Sequence, residues 1–327
     1  MKDLLIVGVD VSKSTLDFHC KPNDLFFQTE NTIGGFRVWL KKITATSLCK
    51  LLVVMEHTGS YSLKFESFLR SKGIDYCKIP ALEIKRSLGV IRGKSDKVDA
   101  ARIAEYAWLR KDLLTADAPL EEGTRKLRNL LSLRAKLVRD RSGYMCRIKE
   151  MKHTQAWTKS DVEIIIQESM IKKISSDILR LEKEIRSAIK ANHTLQTTFE
   201  LITTIKGVGL IVAAYMIAST NNFKRFKNAR KFNCYAGLAP FSYQSGTSIK
   251  GRARVSHLAN KEAKTLLNLA ASSAIQYDKE MKEYYEKRTT EGMKGMSCLN
   301  IIRSKIVARM FAVVKRQSPY VELTTAA

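Results

Sequence analysis

Residues 4–20, LLIVGVDVSKSTLDFHC, open on an apolar, β-branched run and then alternate, which predicts a strand and the start of its hairpin partner. Asp10 falls inside that first strand, between Val9 and Val11, where a carboxylate is costly unless it faces a metal or a basic group. A further strand is expected over 24–31, and Gly34-Gly35 introduce an amphipathic helix to about Lys42. Leu51–Met55 (LLVVM) is the short continuous apolar run of a strand buried on both faces. A helix over Ser62–Lys72 closed by Gly73, a strand over Asp75–Ile79 and a helix over Ala100–Leu109 with Ser95 as N-cap follow. Three hairpin-like strands, then alternating helices and strands, predict a mixed α/β sheet.

The middle of the chain differs in kind. From Thr124 to Ile189 there is no proline and one glycine, Gly143, and Ile164, Ile171, Ile178 and Ile185 stand seven apart, with Ile174 and Leu181 between them. Leu130, Leu137, Tyr144 and Met151 keep the same period on an earlier helix, so an antiparallel helical arm or a dimerising coiled coil is expected. Ser160 and Glu163 fit a capping box restarting the helix after a polar break at His153–Lys159.

Charge points to the class of partner. The 327 residues carry 57 Lys and Arg against 32 Asp and Glu, a net +25, which argues for a polyanion and against an ordinary small-metabolite enzyme. The excess is concentrated, with nets of +6 over 1–110, +5 over 111–200 and +14 over 201–327. Between Glu200 and Glu262 there is no acid, while Lys206, Lys224, Arg225, Lys227, Arg230, Lys231, Lys250, Arg252, Arg254 and Lys261 supply ten cations, a phosphate-binding candidate. Within it Gly207 and Gly209 precede the apolar helix Leu210–Ala218, like a helix-hairpin-helix turn approaching a DNA backbone; a packing pair of glycines reads equally well. Six scattered cysteines with no CxxC spacing suggest neither zinc nor a disulfide framework, and no stretch approaches 18 uncharged apolar residues, so a cytoplasmic protein without a membrane anchor is expected.

Four acids share the placement expected of a metal site. Asp10 is mid-strand, Glu56 closes the LLVVM run, and Asp96 and Asp99 are three apart at a helix start, hence on one face. Carboxylates so gathered bind divalent ions for phosphodiester chemistry. Singly, each has a bland reading: Asp96 as a helix N-terminal acid, Asp10 as a partner of lysine.

Val7-Gly8-Val9-Asp10-Val11-Ser12-Lys13, Met55-Glu56-His57-Thr58-Gly59 and Lys94-Ser95-Asp96-Lys97-Val98-Asp99-Ala100 together resemble the DEDD transposases of bacterial insertion sequences, the insertion sequence 110 family, related to Piv-type DNA invertases. Ile205–Gly209, Tyr235–Pro240 and Gln244-Ser245-Gly246 are similar to the family's C-terminal domain. The resemblance implies an α/β plus α chain: a RuvC-like (RNase H fold) domain over 1–115, a helical coiled-coil arm over 116–195, and a mainly helical transposase domain over 196–327. It implies that Asp10, Glu56, Asp96 and Asp99 hold Mg²⁺, with Mn²⁺ as a substitute, and that Ser245 attacks DNA to leave a phosphoserine link. It implies donor and target double-stranded DNA, a structured guide (bridge) RNA, and a homo-oligomer, a dimer of dimers, acting at the bacterial nucleoid. Gly207, Gly209 and the cations from Lys206 to Arg254 are the expected nucleic-acid contacts.

From the residues alone Ser245 is also a plain turn serine, and Ser242 and Ser248 compete with it. Ser256-His257-Leu258-Ala259-Asn260-Lys261 departs from the Ser-Lys-x-Gly pattern of many family members. His57 reads as a proton shuttle or a packing neighbour of Glu56, and Tyr61, Trp108, Tyr235 and Tyr243 as base-stacking or core aromatics. Two other activities fit the same residues: a RuvC-type endonuclease using metal-activated water, and a non-catalytic nucleic-acid-binding protein.

Overall fold

The computed structural model describes residues 4–46, 50–57, 59–87, 89, 95–117, 122–154, 157–158, 160–246 and 249–321; the side chains of Thr46, Ser245, Ile249 and Lys250 lie outside the description. Thr58, Lys94 and Ser248 of the motifs above also lie outside the described residues. The chain divides into two units, Met1–Pro119 and Leu120–Ala327.

The first unit is a five-stranded sheet in the order β3-β2-β1-β4-β5. Its strands are β1 (Leu4–Val11), β2 (Thr15–Lys21), β3 (Leu25–Glu30), β4 (Lys50–Glu56) and β5 (Asp75–Ile79), with helices α1 (Ile33–Thr46), α2 (Leu63–Ser71), α3 (Ala81–Ser87) and α4 (Asp96–Leu109). The first three strands form an antiparallel meander; β1, β4 and β5 run parallel. Alternation along β1 decides what covers each face. Val7 and Val9 join a core with Phe36 and Trp39 of α1 and Phe65, Phe68 and Leu69 of α2, where Phe18 stacks on Trp39 at 4.9 Å between ring centres. Ile6 belongs to the opposite core with Ile84 of α3 and Ile103, Tyr106 and Ala107 of α4. Two differences from the sequence reading concern helices. Helix α1 carries Gly34 and Gly35 inside its first turn and runs on to Thr46, and α3 follows Pro80 where no element was expected.

The second unit begins with two long helices, α5 (Glu122–His153) and α6 (Val162–Lys190). They form an antiparallel hairpin: Arg134 meets Glu182 at 2.7 Å, Arg141 meets Ser175 at 3.4 Å and Lys152 meets Glu168 at 3.1 Å, ascending one helix while descending the other. On α6 the buried line contains Ile164, Gln167, Ile178, Ile185 and Ala188. On α5 it is Leu127, Leu131, Ile148 and Met151, so the seam runs beside Leu130, Leu137 and Tyr144, which are half-buried. The capping box does not form: Asp161 occupies the N-cap of α6, and the Ser160 hydroxyl bonds Thr158 instead.

Helices α7 (His193–Thr203), α8 (Leu210–Ser219), α9 (Ala229–Tyr235), α10 (Lys261–Tyr277), α11 (Lys279–Thr290) and α12 (Gly295–Arg316) complete the unit around one core. Helix α8 is buried from Val212 to Ala218 without interruption, as an all-apolar helix must be. A two-stranded antiparallel hairpin, β6 (Pro240–Ser245) and β7 (Ile249–Val255), interrupts these helices in the domain expected to be mainly helical.

Candidate active site and nucleic-acid interface

The acidic site is assembled by glycine and by strand register. Gly8 and Asp10 lie two apart on β1 and therefore on one face of the sheet. A Cβ on Gly8 would stand 2.3 Å from the amide nitrogen of Ala104 and 2.6 Å from the carbonyl oxygen of Ala100, so only glycine lets α4 lie this close to β1. The seat fixes the first turn of α4, which carries Asp96 and Asp99 and is capped by the Ser95 hydroxyl accepting the Val98 N–H. On the other side of β1, Val9 pairs in parallel with Met55, which brings Asp10 and Glu56 to adjacent carboxyl ends of two parallel strands. That edge is where open α/β sheets place their ligands.

All four predicted acids thus act on one point. Burial, then Asp96, Asp99, Glu56 and Asp17, push the Asp10 carboxyl up from 3.8 to about 6. Asp99 pairs with Arg102 at 2.9 Å, whereas among the described residues no Lys or Arg forms an ion pair with Asp10. The donor set, hard carboxylate oxygens with an excess of negative charge, suits Mg²⁺ or Mn²⁺. Among the described residues, no three His, Cys, Asp or Glu side chains close into a ready-made ion cage.

Asp17 is a fifth acid that the sequence reading passed over. It is 2% exposed, it is the direct cross-strand partner of Asp10, and the Gln28 amide donates to it at 3.0 Å from β3. Burial raises its carboxyl, with Gln28 opposing and Asp96 adding. The signal was present: a hairpin turning at Ser12–Thr15 must set Asp10 opposite Asp17. His57 is exposed, and its backbone N–H continues the ladder to the Ile79 carbonyl at 3.1 Å. Buried Glu66 on α2 is structural, holding Ser62 at 2.7 Å and Lys78 at 2.9 Å.

In the second unit Lys206, Lys224, Arg225, Lys227, Arg230, Lys231, Arg252 and Arg254 are all exposed, while the Lys250 side chain lies outside the described residues. Arg225 lies over the rings of Phe226 and Tyr235, and Arg128 donates to the Ala218 carbonyl at 2.8 Å; both line a pocket of about 250 Å³ with Tyr215 and Glu262. The two glycines of the expected phosphate turn differ from each other. Gly207, at φ +90°, lies where a Cβ would stand 2.4 Å from the Ala270 carbonyl of α10, so packing requires it. Gly209, the N-cap of α8, has open space around it. Ser245 ends β6, and Gly246 turns the chain in the left-handed region at φ +56°. Tyr235 is tied into the fold through Asn260, whereas Tyr243 stands out from its hairpin.

An acidic cluster at the carboxyl edge of a mixed sheet, joined in one chain to a strongly basic helical unit, defines a DNA-processing enzyme of the transposase and recombinase class. The chain belongs to the IS110 family of DEDD transposases: the family's DEDD transposase model matches residues 7–151, and the model described as Transposase IS116/IS110/IS902 family matches residues 199–286. Among its relatives, the pilin gene-inverting protein of Moraxella bovis is 24% identical over 327 residues, covering 96% of this chain and 97% of that protein. The transposase for insertion sequence element IS1111A of Coxiella burnetii is 23% identical over 356 residues, covering 98% and 92%. No helix among the described residues is long and apolar enough to cross a membrane.

Proposed function

We propose that this transposase is an RNA-guided recombinase that excises and inserts its own insertion sequence through a covalent phosphoserine intermediate. The observation that carries the reading is the convergence of Asp96, Asp99 and Glu56 on Asp10, whose carboxyl is pushed up to about 6 by burial first and by these acids in addition. The first unit then acts as a RuvC-like catalytic domain over 1–115, the α5–α6 hairpin as a coiled-coil arm over 116–195, and 196–327 as the domain presenting the serine.

Asp10, Glu56, Asp96 and Asp99 would hold Mg²⁺, which when bound supplies Lewis-acid stabilisation of charge on the phosphate oxygens. The Ser245 oxygen replaces one bridging oxygen on phosphorus, and the departing strand leaves as a hydroxyl bearing the proton that serine gives up. Attack by a hydroxyl of the second DNA reverses the step, so each broken phosphodiester is replaced by another and no energy-rich co-reactant is required. Donor and target choice falls to base pairing with a structured bridge RNA, and the basic surface from Lys206 to Arg254 follows backbone and shape. Four strand exchanges between two duplexes ask for a dimer of dimers.

The test is to purify the protein with its co-purifying RNA, add Mg²⁺ and labelled DNA spanning the element's junction, and run denaturing gels with and without protease. A DNA species that survives denaturation, collapses with protease and is absent in Ser245→Ala is expected. Free ends without a linked species, unchanged in Ser245→Ala and lost in Asp10→Ala, would show cleavage by activated water instead.

A further inference from the structure

The β6–β7 hairpin carries a feature that neither the acids nor the serine explain. Two-stranded hairpins are marginal in water and ordinarily bury their large side chains against something. Here Phe241 is 50% exposed and Tyr243 68% exposed, two residues apart and so on one face of β6. Opposite Tyr243 the neighbouring strand places only a glycine. Phe241 pairs with Arg254, Tyr243 pairs with Gly251, and a β-bulge falls between the two pairs. A Cβ on Gly251 would stand 3.5 Å from the Tyr243 ring, so the missing side chain leaves that ring clear on its outer side. Together with Arg252, Arg254, His257 and Leu258, also 56% exposed, the rings border an open groove of about 870 Å³.

The chemistry of the groove selects its occupant. No acid lies between Glu200 and Glu262, and Arg252 and Arg254 form no ion pair with a described carboxylate, so the groove is complementary to a polyanion. Exposed rings add little to binding an undeformed duplex, whose base faces are covered by their own neighbours and must be unstacked before a ring can reach them. They add to binding of unpaired bases, each of which offers a free π-face. Residues two apart on a strand are about 6.8 Å apart, twice the roughly 3.4 Å between stacked bases, so one base fits between the two rings. We propose that the β6–β7 hairpin is a binding site for a short unpaired stretch of nucleic acid, with Phe241 and Tyr243 stacking on its bases and Arg252 and Arg254 holding its phosphates. Combined with the reading of Ser245, which ends the same strand, this places unpaired nucleotides beside the phosphate under attack; the binding itself does not require that chemistry.

The experiment measures anisotropy of labelled 12-nucleotide oligo-dT, its oligo-rU counterpart and a 12-base-pair duplex against the full chain at fixed salt. The variants are Phe241→Ala/Tyr243→Ala and the conservative Phe241→Tyr/Tyr243→Phe. Single-strand affinity should fall about tenfold or more in the double alanine variant, persist in the conservative one, and leave duplex affinity within about twofold, with an unchanged salt slope. Oligonucleotides carrying 2-aminopurine should be quenched by the wild type and not by the double alanine variant, a signature that a merely structural role would not move. Whether oligo-dT or oligo-rU carries the larger ring-dependent loss identifies DNA or RNA as the occupant. Equal losses for single strand and duplex, or no loss, overturn the proposal. If the wild type binds single strands in a ring-dependent way yet forms no protein-linked DNA in the gel assay, only the serine reading falls.

Discussion

Asp10 and Asp17 are direct partners across the antiparallel β1–β2 ladder, one half-buried and the other almost wholly so. Like charges directly opposite on one face destabilise a sheet by a few tenths to about 1 kcal/mol, and the Gln28 amide needs only an oxygen acceptor at Asp17. Asp17→Asn should therefore stabilise the metal-free protein at neutral pH by roughly that amount, and carboxyl NMR should show Asp10 titrating lower than in the wild type. A loss of stability would mean that Asp17 is held by something other than Gln28.

The same cluster gives stability a definite pH dependence. Because the folded Asp10 carboxyl sits at about 6 and the unfolded one near 3.8, its contribution is fully present below about 3.8 and is lost as pH rises through 6. For a half-buried group the loss is on the order of 1–2 kcal/mol after solvent screening. Thermal melts in chelator should fall between pH 4 and 7 in the wild type by more than in Asp10→Asn. Millimolar Mg²⁺ should restore the wild-type midpoint at pH 7.5 and do little at pH 4.5; an equal effect on Asp10→Asn would separate the ion from this site.

Gly8→Ala places a methyl group into backbone atoms of α4, which cannot rotate away as a side chain could. A cost of about 2–3 kcal/mol is expected from overpacking, together with displacement of Asp96 and Asp99 and loss of DNA cleavage. Differential scanning calorimetry with two resolved transitions should show the loss in the first unit. Full cleavage activity in this variant would contradict the role of the seat.

Gly207 and Gly209 separate packing from ligand approach. Gly207→Ala combines a left-handed φ with a collision at the Ala270 carbonyl and should cost more than about 2 kcal/mol. Gly209→Ala, in extended backbone with open space, should lower stability by about 1 kcal/mol or less. If phosphate approaches that turn, Gly209→Ala nevertheless weakens DNA binding, readable by filter binding on folded protein.

Salt reports the number of phosphates engaged. Duplex binding should weaken steeply between about 50 and 200 mM salt, and Lys227→Gln or Arg230→Gln should each reduce the slope of log K against log salt by about 0.9. A flat response would sever the basic surface from DNA.

The two units differ in how far their sequence spoke for them. In the first unit each strand announced itself through its own burial: Leu51–Met55 through an unbroken apolar run, Asp75–Ile79 through its bounding turns, and α4 through Ser95. Asp17 was legible only through the turn at Ser12–Thr15, since its meaning lies in a partner across that hairpin and not in the pattern along its own strand. The second unit was ambiguous where a local motif had two solutions. Ser160 and Asp161 both suit an N-cap, and α6 begins after the second. Gly207 suits a phosphate turn, yet its neighbour is Ala270, sixty-three residues on, visible only after folding. The β6–β7 hairpin did leave a trace, Ile249, Gly251, Ala253 and Val255 alternating with Lys250, Arg252 and Arg254, which the basic character of the stretch obscured.

Helix α5, at 32 residues, has a length of about 48 Å, against about 34 Å for a full turn of B-DNA. Its base is fastened by Arg128 to the end of α8, and its far end at His153 hands the chain back to α6. The two helices therefore carry the chain out from that anchor and back again over a distance longer than one helical repeat. Deleting one heptad from each helix would shorten that reach by about 10 Å while keeping the seam in phase, and would leave the four acids and the cations from Lys206 to Arg254 in place.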